Sequence, residues 1–113
     1  FIAKYRAWAV KNKVPSAATV VTNDPMEATY VGINMWAQAV KKAGTTNVDA
    51  VRKAMAGQTF AAPSGYVLTM DPVNHHLHKP VMIGEIRADG QFNVVYKTPT
   101  AIVAQPWSPY IPK

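Results

Sequence analysis

The sequence predicts an α+β arrangement, in which three helices come first and strands with a β-hairpin follow. Two observations predict this order. Apolar residues recur at helical spacing in three segments before residue 57. After residue 57 the pattern changes to short β-favouring runs that are separated by proline and glycine turn signals. With 113 residues the chain is long enough for one domain and too short for two well-packed ones.

The first helix is predicted over about residues 1–13, FIAKYRAWAVKNK. Its apolar side chains recur at helical spacing and share one face: Phe1, Ile2, Tyr5, Trp8 and Ala9. The helix is expected to end before Pro15, because a proline disfavours the helical conformation of the residue that precedes it. Since the chain starts inside this amphipathic helix, without Met or a signal peptide, we expect a piece of a longer protein.

The second helix is predicted over about residues 24–43 and has the clearest start and stop signals. Asp24 is expected to cap the helix, and Pro25 suits the first helical position. Glu27 stands three residues after this cap, as in a capping box, and Gly44 is a natural stop. The predicted core-facing stripe consists of Met26, Tyr30, Ile33, Ala37 and Val40.

A third, shorter helix is predicted over about residues 47–56. Thr46 or Asn47 is expected to cap it, and Gly57 to end it. Both threonine and asparagine serve as helix caps, so the sequence leaves the choice between them open. The inward-facing residues are expected to be Val48, Val51 and Met55.

Three strands are predicted after the helices. They cover about residues 66–70, 81–87 and 91–96. A turn at Pro63, Ser64 and Gly65 is expected before the first of them. The last two strands form a hairpin around a turn at Asp89 and Gly90, a pair that favours the tight turns of hairpins. The tail, residues 99–113, is rich in proline and is expected to run extended over a surface, held there by Trp107 and Tyr110.

Composition and charge exclude several classes of protein. No apolar run approaches the roughly 20 residues that a membrane-spanning helix needs. The absence of cysteine removes disulfides, zinc–thiolate sites and thiol nucleophiles. The net charge is +6, yet the nine lysines and three arginines are scattered, and no nucleic-acid-binding motif is present. We therefore expect solvated basic faces and no nucleic-acid partner; salt-dependent binding of DNA would revive that alternative.

All three histidines lie within one stretch, MDPVNHHLHKP, residues 70–80. A zinc site on a helix needs two histidines four residues apart, but these stand at positions 75, 76 and 78 between two prolines. In an extended chain His76 and His78 share a face, and with Asp71 they could hold a metal, although the sequence offers no further ligand nearby. Asp-Pro-x-Asn commonly starts a turn, so we expect a connector at the surface and no metal site.

The sequence contains no recognisable catalytic constellation. Asp24 and Glu27 are accounted for by the helix start and Asp89 by its turn, and neither a nucleophile elbow nor a phosphate loop occurs. We therefore expect a protein that is not an enzyme and has no cofactor, with a metal-dependent enzyme at the histidines as the alternative. The start of the second helix, residues 23–27, is of more interest, because free N–H groups there could face a polar ligand. Capping of the helix by its own Asp24 is the simpler use of these groups, and the sequence favours it.

Four motifs carry a resemblance to a known family: NDPMEA, APSG, NHHLHKPV and IGEIRADGQF. Over residues 1–112 the chain resembles the C-terminal portion of the substrate-binding proteins of urea and short-chain amide ABC transporters, in the leucine-binding family of periplasmic receptors. The resemblance implies a type I periplasmic-binding fold of the α/β class, with two lobes joined by three crossover strands. It also implies that residues 1–113 are a single C-terminal fragment, with three helices on one lobe and a hairpin that includes the return crossover.

The same resemblance implies a function and a site. The expected function is that of an extracytoplasmic solute-binding protein of an importer for urea or short-chain amides, which binds its ligand by lobe closure. The implied partners are this small-molecule solute and an ABC permease, and the implied location is the periplasm. Asn23, Asp24 and Glu27 are the expected ligand contacts in this chain. The alternative is an amide-sensing regulator of the same fold with a cytoplasmic partner. The fragment alone is expected to self-associate through uncovered apolar surface.

Overall fold

Three helices come first in the chain and antiparallel strands follow, which confirms the predicted α+β order. The fold is given by a computed structural model, which describes residues 1–112. The helices are α1 (Ile2–Lys11), α2 (Asp24–Ala43) and α3 (Val48–Met55). Helix α1 is shorter than the predicted 1–13, because the Asn12 side chain donates a hydrogen bond to the Trp8 carbonyl and Lys13 takes a positive φ of 54°.

The ends of α2 and α3 follow the predicted signals in part. Gly44 ends α2 with a φ of 66°, a left-handed conformation that glycine adopts without steric cost. Asn47, one of the two predicted caps of α3, accepts a hydrogen bond from the Ala50 N–H at 3.2 Å. Helix α3 ends at Met55, two residues before Gly57.

Helix α2 buries a different face from the predicted one. Val31, Met35 and Ala39 are fully buried, whereas Tyr30 and Ile33 are exposed, Ile33 to 62%. The predicted stripe is therefore wrong as a core face, although its other members are half-buried: Met26, Ala37 and Val40. Both stripes have helical spacing, so periodicity alone could not choose between them. The choice is made by the strands and by α3, which cover only one side of the helix.

Two hydrophobic clusters form the core. The first lies between α2 and a sheet and contains the buried residues Val31, Met35, Ala62, Leu68 and Met70. The second lies between α2 and α3 and contains Ala39, Val51 and Ala54. Within α3, Val51 is buried and Met55 half-buried as predicted, whereas Val48 is exposed. Val48 is the first residue of α3, and its side chain is not part of the cluster between α2 and α3.

A three-stranded antiparallel sheet packs on α2, in the order β1-β2-β3. Its strands are β1 (Thr59–Ala61), β2 (Val67–Met70) and β3 (Leu77–His78). Strand β2 corresponds to the predicted strand at 66–70, while β1 and β3 were not predicted as strands. Their pairing with β2 places Phe60 opposite Leu68 and Leu77 opposite Met70. These neighbours bring apolar side chains to the core side of the sheet.

The predicted hairpin forms a separate two-stranded sheet, β4 (Met82–Ile86) and β5 (Phe92–Lys97). Its bounds lie within one residue of the predicted 81–87 and 91–96. All residues of both strands are exposed, on both faces of the hairpin. An isolated two-stranded hairpin is marginally stable in water, so this one gains little stability from its own packing.

The tail over residues 99–112 is irregular and not extended as predicted, with bends at residues 99–100 and 106–107 and a turn at 109–110. Two hydrogen-bonded contacts hold it, and the predicted aromatic residues do not. Ile102 forms a bridge with Lys79, and the Ala104 carbonyl accepts a hydrogen bond from the Asn74 side chain at 3.0 Å. Trp107 and Tyr110, the predicted anchors, are both exposed. The last residue of the predicted tail, at position 113, lies outside the described residues.

Candidate functional site

A surface pocket of about 520 Å³ lies at the start of α2 and brings together the three residues that were predicted as ligand contacts. Its walls come from α1, the connector before α2, the first turn of α2 and the β1–β2 turn. The lining residues are Phe1, Ile2, Ala3, Thr22, Asn23, Asp24, Glu27, Pro63 and Ser64. The pocket therefore combines an apolar wall from α1 with amide, hydroxyl and carboxylate groups from the other segments.

Asn23 is the cap of α2, so the prediction that Asp24 caps the helix is wrong. The Asn23 Oδ1 accepts a hydrogen bond from the Met26 N–H at 3.0 Å, and the backbone of Asn23 is extended, as a cap requires. Asp24 is instead the first helical residue, and Pro25 is the second. Asparagine and aspartate are nearly equal as caps, which is why the sequence could not separate two adjacent candidates.

The first turn of α2 has few N–H groups left for a ligand. The side chain of Asn23 accepts a hydrogen bond from the Met26 N–H. Its main-chain carbonyl oxygen accepts one from the Glu27 N–H at 3.2 Å. Pro25 has no N–H to offer. The N–H groups of Met26 and Glu27 are therefore used in capping the helix, and the cap is Asn23.

Glu27 does not form a capping box, since it contacts a residue 37 positions away. Its Oε1 accepts a hydrogen bond from the Ser64 N–H at 2.7 Å. A carboxylate oxygen has more than one lone pair, so Glu27 keeps acceptor capacity while its orientation is fixed. This contact joins α2 to the β1–β2 turn and closes one side of the pocket.

Asp24 forms an ion pair that reaches outside the pocket. Its Oδ1 lies 2.7 Å from Lys79 Nζ, at the base of the hairpin. The Lys79 side chain is 27% exposed and that of Asp24 is 76% exposed. The pocket thus presents two oriented carboxylates, of which one is neutralised by a lysine.

Sequence reasoning missed Ser64 and the apolar wall of the pocket. Ser64 was predicted only as part of a turn, and it contributes a main-chain N–H, which every non-proline residue has. The residue type therefore could not identify Ser64 as part of the site. The apolar wall depends on where Phe1 lies, and the Phe1 ring packs edge-on against Tyr30 of α2 with centroids 5.1 Å apart. That long-range contact is not visible in local periodicity.

The histidine stretch forms a turn, as predicted. Asp71 Oδ1 accepts hydrogen bonds from the N–H groups of Val73 and Asn74, at 2.8 and 2.9 Å. Asp71 Oδ2 accepts another from His78 Nε2 at 3.1 Å. The Asn74 and Val73 N–H groups, with a smaller contribution from His78, lower the pKa of Asp71 from 3.8 to about 2. The turn is therefore organised by the Asp71 carboxylate, which is ionised at neutral pH.

The three imidazoles lie in different surroundings. His78 pairs with Asp71, whereas His75 Nε2 lies 3.4 Å from the Arg52 carbonyl oxygen near the end of α3, and His76 is exposed. Within residues 1–112, no three His, Cys, Asp or Glu side chains come close enough to hold a metal ion together. His75 also has a φ of 59°, so the turn holds it in a conformation that costs free energy for a non-glycine residue.

A second pocket of about 490 Å³ lies between this turn and α3. It is lined by Asp49, Arg52, Lys53, Ala56, Pro72 and His75. Arg52 pairs loosely with Asp49, with the nearest N and O atoms 3.9 Å apart, and both side chains are well exposed. Exposed pairs of this kind contribute little, so the pocket at the start of α2 has the better-organised polar groups.

Comparisons with known proteins agree with this architecture. The family model described as periplasmic binding protein domain matches residues 1–113. A curated protein from Geobacillus stearothermophilus, named limonene hydroxylase, is 35% identical over 86 residues. That alignment covers 76% of this chain but 16% of the relative, so the chain spans about a sixth of that protein's length. Among residues 1–112, no helix is both long enough and apolar enough to cross a membrane.

Proposed function

The chain belongs to the periplasmic binding protein domain family, and on this premise we propose that it forms part of an extracytoplasmic receptor for urea or short-chain amides. The family match, which extends over residues 1–113, is the observation that carries the solute-binding role. The choice of solute rests on the resemblance in sequence and on the chemistry of the pocket at the start of α2. Neither the solute nor the partner follows from family membership alone.

The polar groups of the pocket favour a solute that donates hydrogen bonds. The N–H groups of Met26 and Glu27 are used within the helix, while the carboxylates of Asp24 and Glu27 are acceptors with unused lone pairs. Urea and primary amides carry several N–H donors and no charge. A carboxylate ligand would meet two carboxylates and few free donors, so the pocket is suited to amides and not to anions.

The rest of the ligand contacts would come from a second lobe that is not part of this chain. The pocket is open, and family receptors hold solutes between lobes, so closure of the second lobe over α2 would exclude water from the carboxylates. The hairpin supports this proposal, because its two exposed faces suit a crossover that other strands cover. An ABC permease would be the partner of the closed receptor, and the periplasm its location.

We further propose that the chain has no catalytic activity of its own. The polar groups of the pocket are two carboxylates, an amide and hydroxyl groups, and no nucleophile–base pair is among the lining residues. The relative named limonene hydroxylase is about six times longer than the aligned part, so its activity does not transfer to this chain. An amide-sensing regulator of the same fold remains the alternative, and the partner that is captured would distinguish a permease from a cytoplasmic protein.

The test is isothermal titration calorimetry with urea, acetamide, acetate and limonene, on the intact receptor and on the 113-residue chain. We expect the intact receptor to bind urea or acetamide but not acetate, and the chain alone to bind none of them. Glu27→Gln should weaken binding about tenfold or more, because a hydrogen bond to a charged acceptor is lost. Glu85→Gln in the hairpin is the matched control and should leave the affinity unchanged.

Two outcomes would contradict the proposal. Tight binding of urea by the 113-residue chain would mean that the site does not need a second lobe. Binding of acetate or limonene, but of neither amide, would mean that the pocket has been assigned the wrong class of solute.

A further inference from the structure

The β4–β5 hairpin is attached to the rest of the structure at its base, by a lysine on each side. Lys79 stands before β4 and pairs with Asp24 of α2 at 2.7 Å. Lys97, the last residue of β5, places its Nζ 4.7 Å from the centre of the Tyr66 ring. Since the strand residues between these two lysines are exposed on both faces, the orientation of the hairpin depends on its base.

Of these two attachments, Lys79 is the one that leads to the candidate site. Its main-chain oxygen accepts a hydrogen bond from the Ile102 N–H at 2.9 Å, so the tail fixes its backbone. Its side chain is largely covered and ends on a carboxylate that lines the pocket. One side chain therefore connects the hairpin, the tail and the pocket at the start of α2.

We propose that Lys79 is a positioning residue that couples solute binding in the pocket to the orientation of the hairpin. It holds Asp24 by Oδ1, which leaves Oδ2 available to an N–H group of the solute. A carboxylate that is already oriented costs less to engage than a freely rotating one. The coupling to solute binding rests on the proposed function, whereas the anchoring of the hairpin by Lys79 does not depend on it.

Two consequences follow from the shared carboxylate. Removing the Lys79 amine should loosen the hairpin, because the ion pair that joins its base to Asp24 of α2 is then lost. It should also weaken solute binding, because Asp24 loses its fixed orientation. Because coupling between two sites is reciprocal, solute in the pocket should in turn narrow the range of hairpin orientations.

The experiment measures the hairpin orientation directly, by electron spin resonance distances in the intact receptor. Spin labels are placed at Lys53→Cys in α3 and Ala88→Cys in the hairpin turn, two exposed positions in a chain without native cysteine. Lys79→Met should broaden the distance distribution, and Lys79→Arg should largely retain it. Lys42→Met, an exposed lysine in the last turn of α2, is the matched control and should leave it unchanged.

The solute arm uses urea and acetamide in the same variants. Lys79→Met should raise the Kd about threefold, as expected for loss of one partly exposed ion pair, and Lys79→Arg should restore most of the affinity. An unchanged distance distribution in Lys79→Met would overturn the anchoring role. A broadened distribution with an unchanged Kd would overturn the coupling. If the unsubstituted receptor binds neither solute, the proposed function fails, and the distance measurement on the ligand-free protein still decides the role of Lys79.

Discussion

At the scale of single residues, the side chains with the best-defined roles are acceptors that organise backbone. The Asp71 carboxylate accepts hydrogen bonds from two main-chain N–H groups and one imidazole, and the Asn23 side chain accepts one from the N–H of Met26. His78 lies seven positions from Asp71, whereas the main-chain partners of both residues lie within three positions of them. This is the range over which residue type alone predicts structure, so the turn at Asp71 was predicted correctly.

Asp71 gives a prediction about acid stability. Its pKa is lowered to about 2, so the ionised form is favoured in the folded protein relative to the unfolded one. The stability that it contributes is therefore present above its ordinary pKa of 3.8 and is lost as the pH falls towards 2. We expect Asp71→Asn to lower the Tm at pH 7. The difference in Tm between this variant and the unsubstituted protein should vanish as the pH approaches about 2.

Thermal unfolding monitored by circular dichroism between acidic and neutral pH measures this effect. Asp49→Asn is the control, because the Asp49 side chain is 90% exposed and pairs only loosely with Arg52. A constant difference between Asp71→Asn and the unsubstituted protein at every pH would contradict the prediction, since it would mean that the charge of Asp71 has no part in the turn.

The cap of α2 gives a second prediction at this scale. Asn23→Ala removes the acceptor for the Met26 N–H, which costs about 1 kcal/mol in typical helices. We expect amide exchange in the first turn of α2 to become about fivefold faster, while Asn23→Ser, which keeps a capping oxygen, restores most of the protection. Hydrogen–deuterium exchange measures both. Equal protection in the alanine and serine variants would mean that a group other than the side chain at position 23 stabilises the first turn of α2.

At the scale of elements, helices with clear caps and a hairpin with a strong turn pair were predictable, and short strands were not. Strands β1 and β3 have three and two residues, too few for a pattern of alternation to be recognised. They exist because each pairs with β2. Likewise, α2 is apolar on more than one side, so its bounds followed from the sequence but its core face did not. Both the short strands and the core face of α2 depend on which other element each one packs against or pairs with, and the sequence pattern does not show that.

Packing on α2 gives a third prediction. Met35 is fully buried against the sheet, so Met35→Ala should cost roughly 2–5 kcal/mol of unfolding free energy. Ile33, which belongs to the stripe predicted from the sequence, is exposed, so Ile33→Ala should cost about 0.5 kcal/mol or less in the 113-residue chain. Urea unfolding of the two variants measures the difference. A larger loss for Ile33→Ala would restore the predicted stripe as the core face.

At the scale of the whole molecule, the chain is less compact than a self-contained domain. Its radius of gyration is 17.0 Å, whereas a compact domain of this length has about 13 Å. The excess comes from an exposed hairpin and an irregular tail next to a small packed unit of α2, α3 and the three-stranded sheet. The candidate site was predicted from three residues at the start of one helix, yet its other walls come from α1 and the β1–β2 turn, which only the assembled fold brings near.

The exposed hairpin gives a fourth prediction, for the 113-residue chain alone. Strand β5 is an open edge with no charged residue between Phe92 and Tyr96, and such edges pair with other strands. We expect the chain to self-associate, and Val95→Lys in the middle of β5 to shift it towards the monomer. Val73→Lys places the same charge on an exposed turn and should have no such effect. Sedimentation velocity at several concentrations measures this, and a monomer at every concentration would contradict it.

The hydrogen bond between Glu27 and Ser64 has one more consequence, which concerns the time at which the pocket comes into being. The two residues are 37 positions apart, so a nascent chain that has completed α2 still lacks one wall of the site. The wall is added when the β1–β2 turn docks on the helix, together with the burial of Leu68 and Met70. A solute that bridges the two walls would hold them together, so binding would act as a reversible cross-link between α2 and the β1–β2 turn.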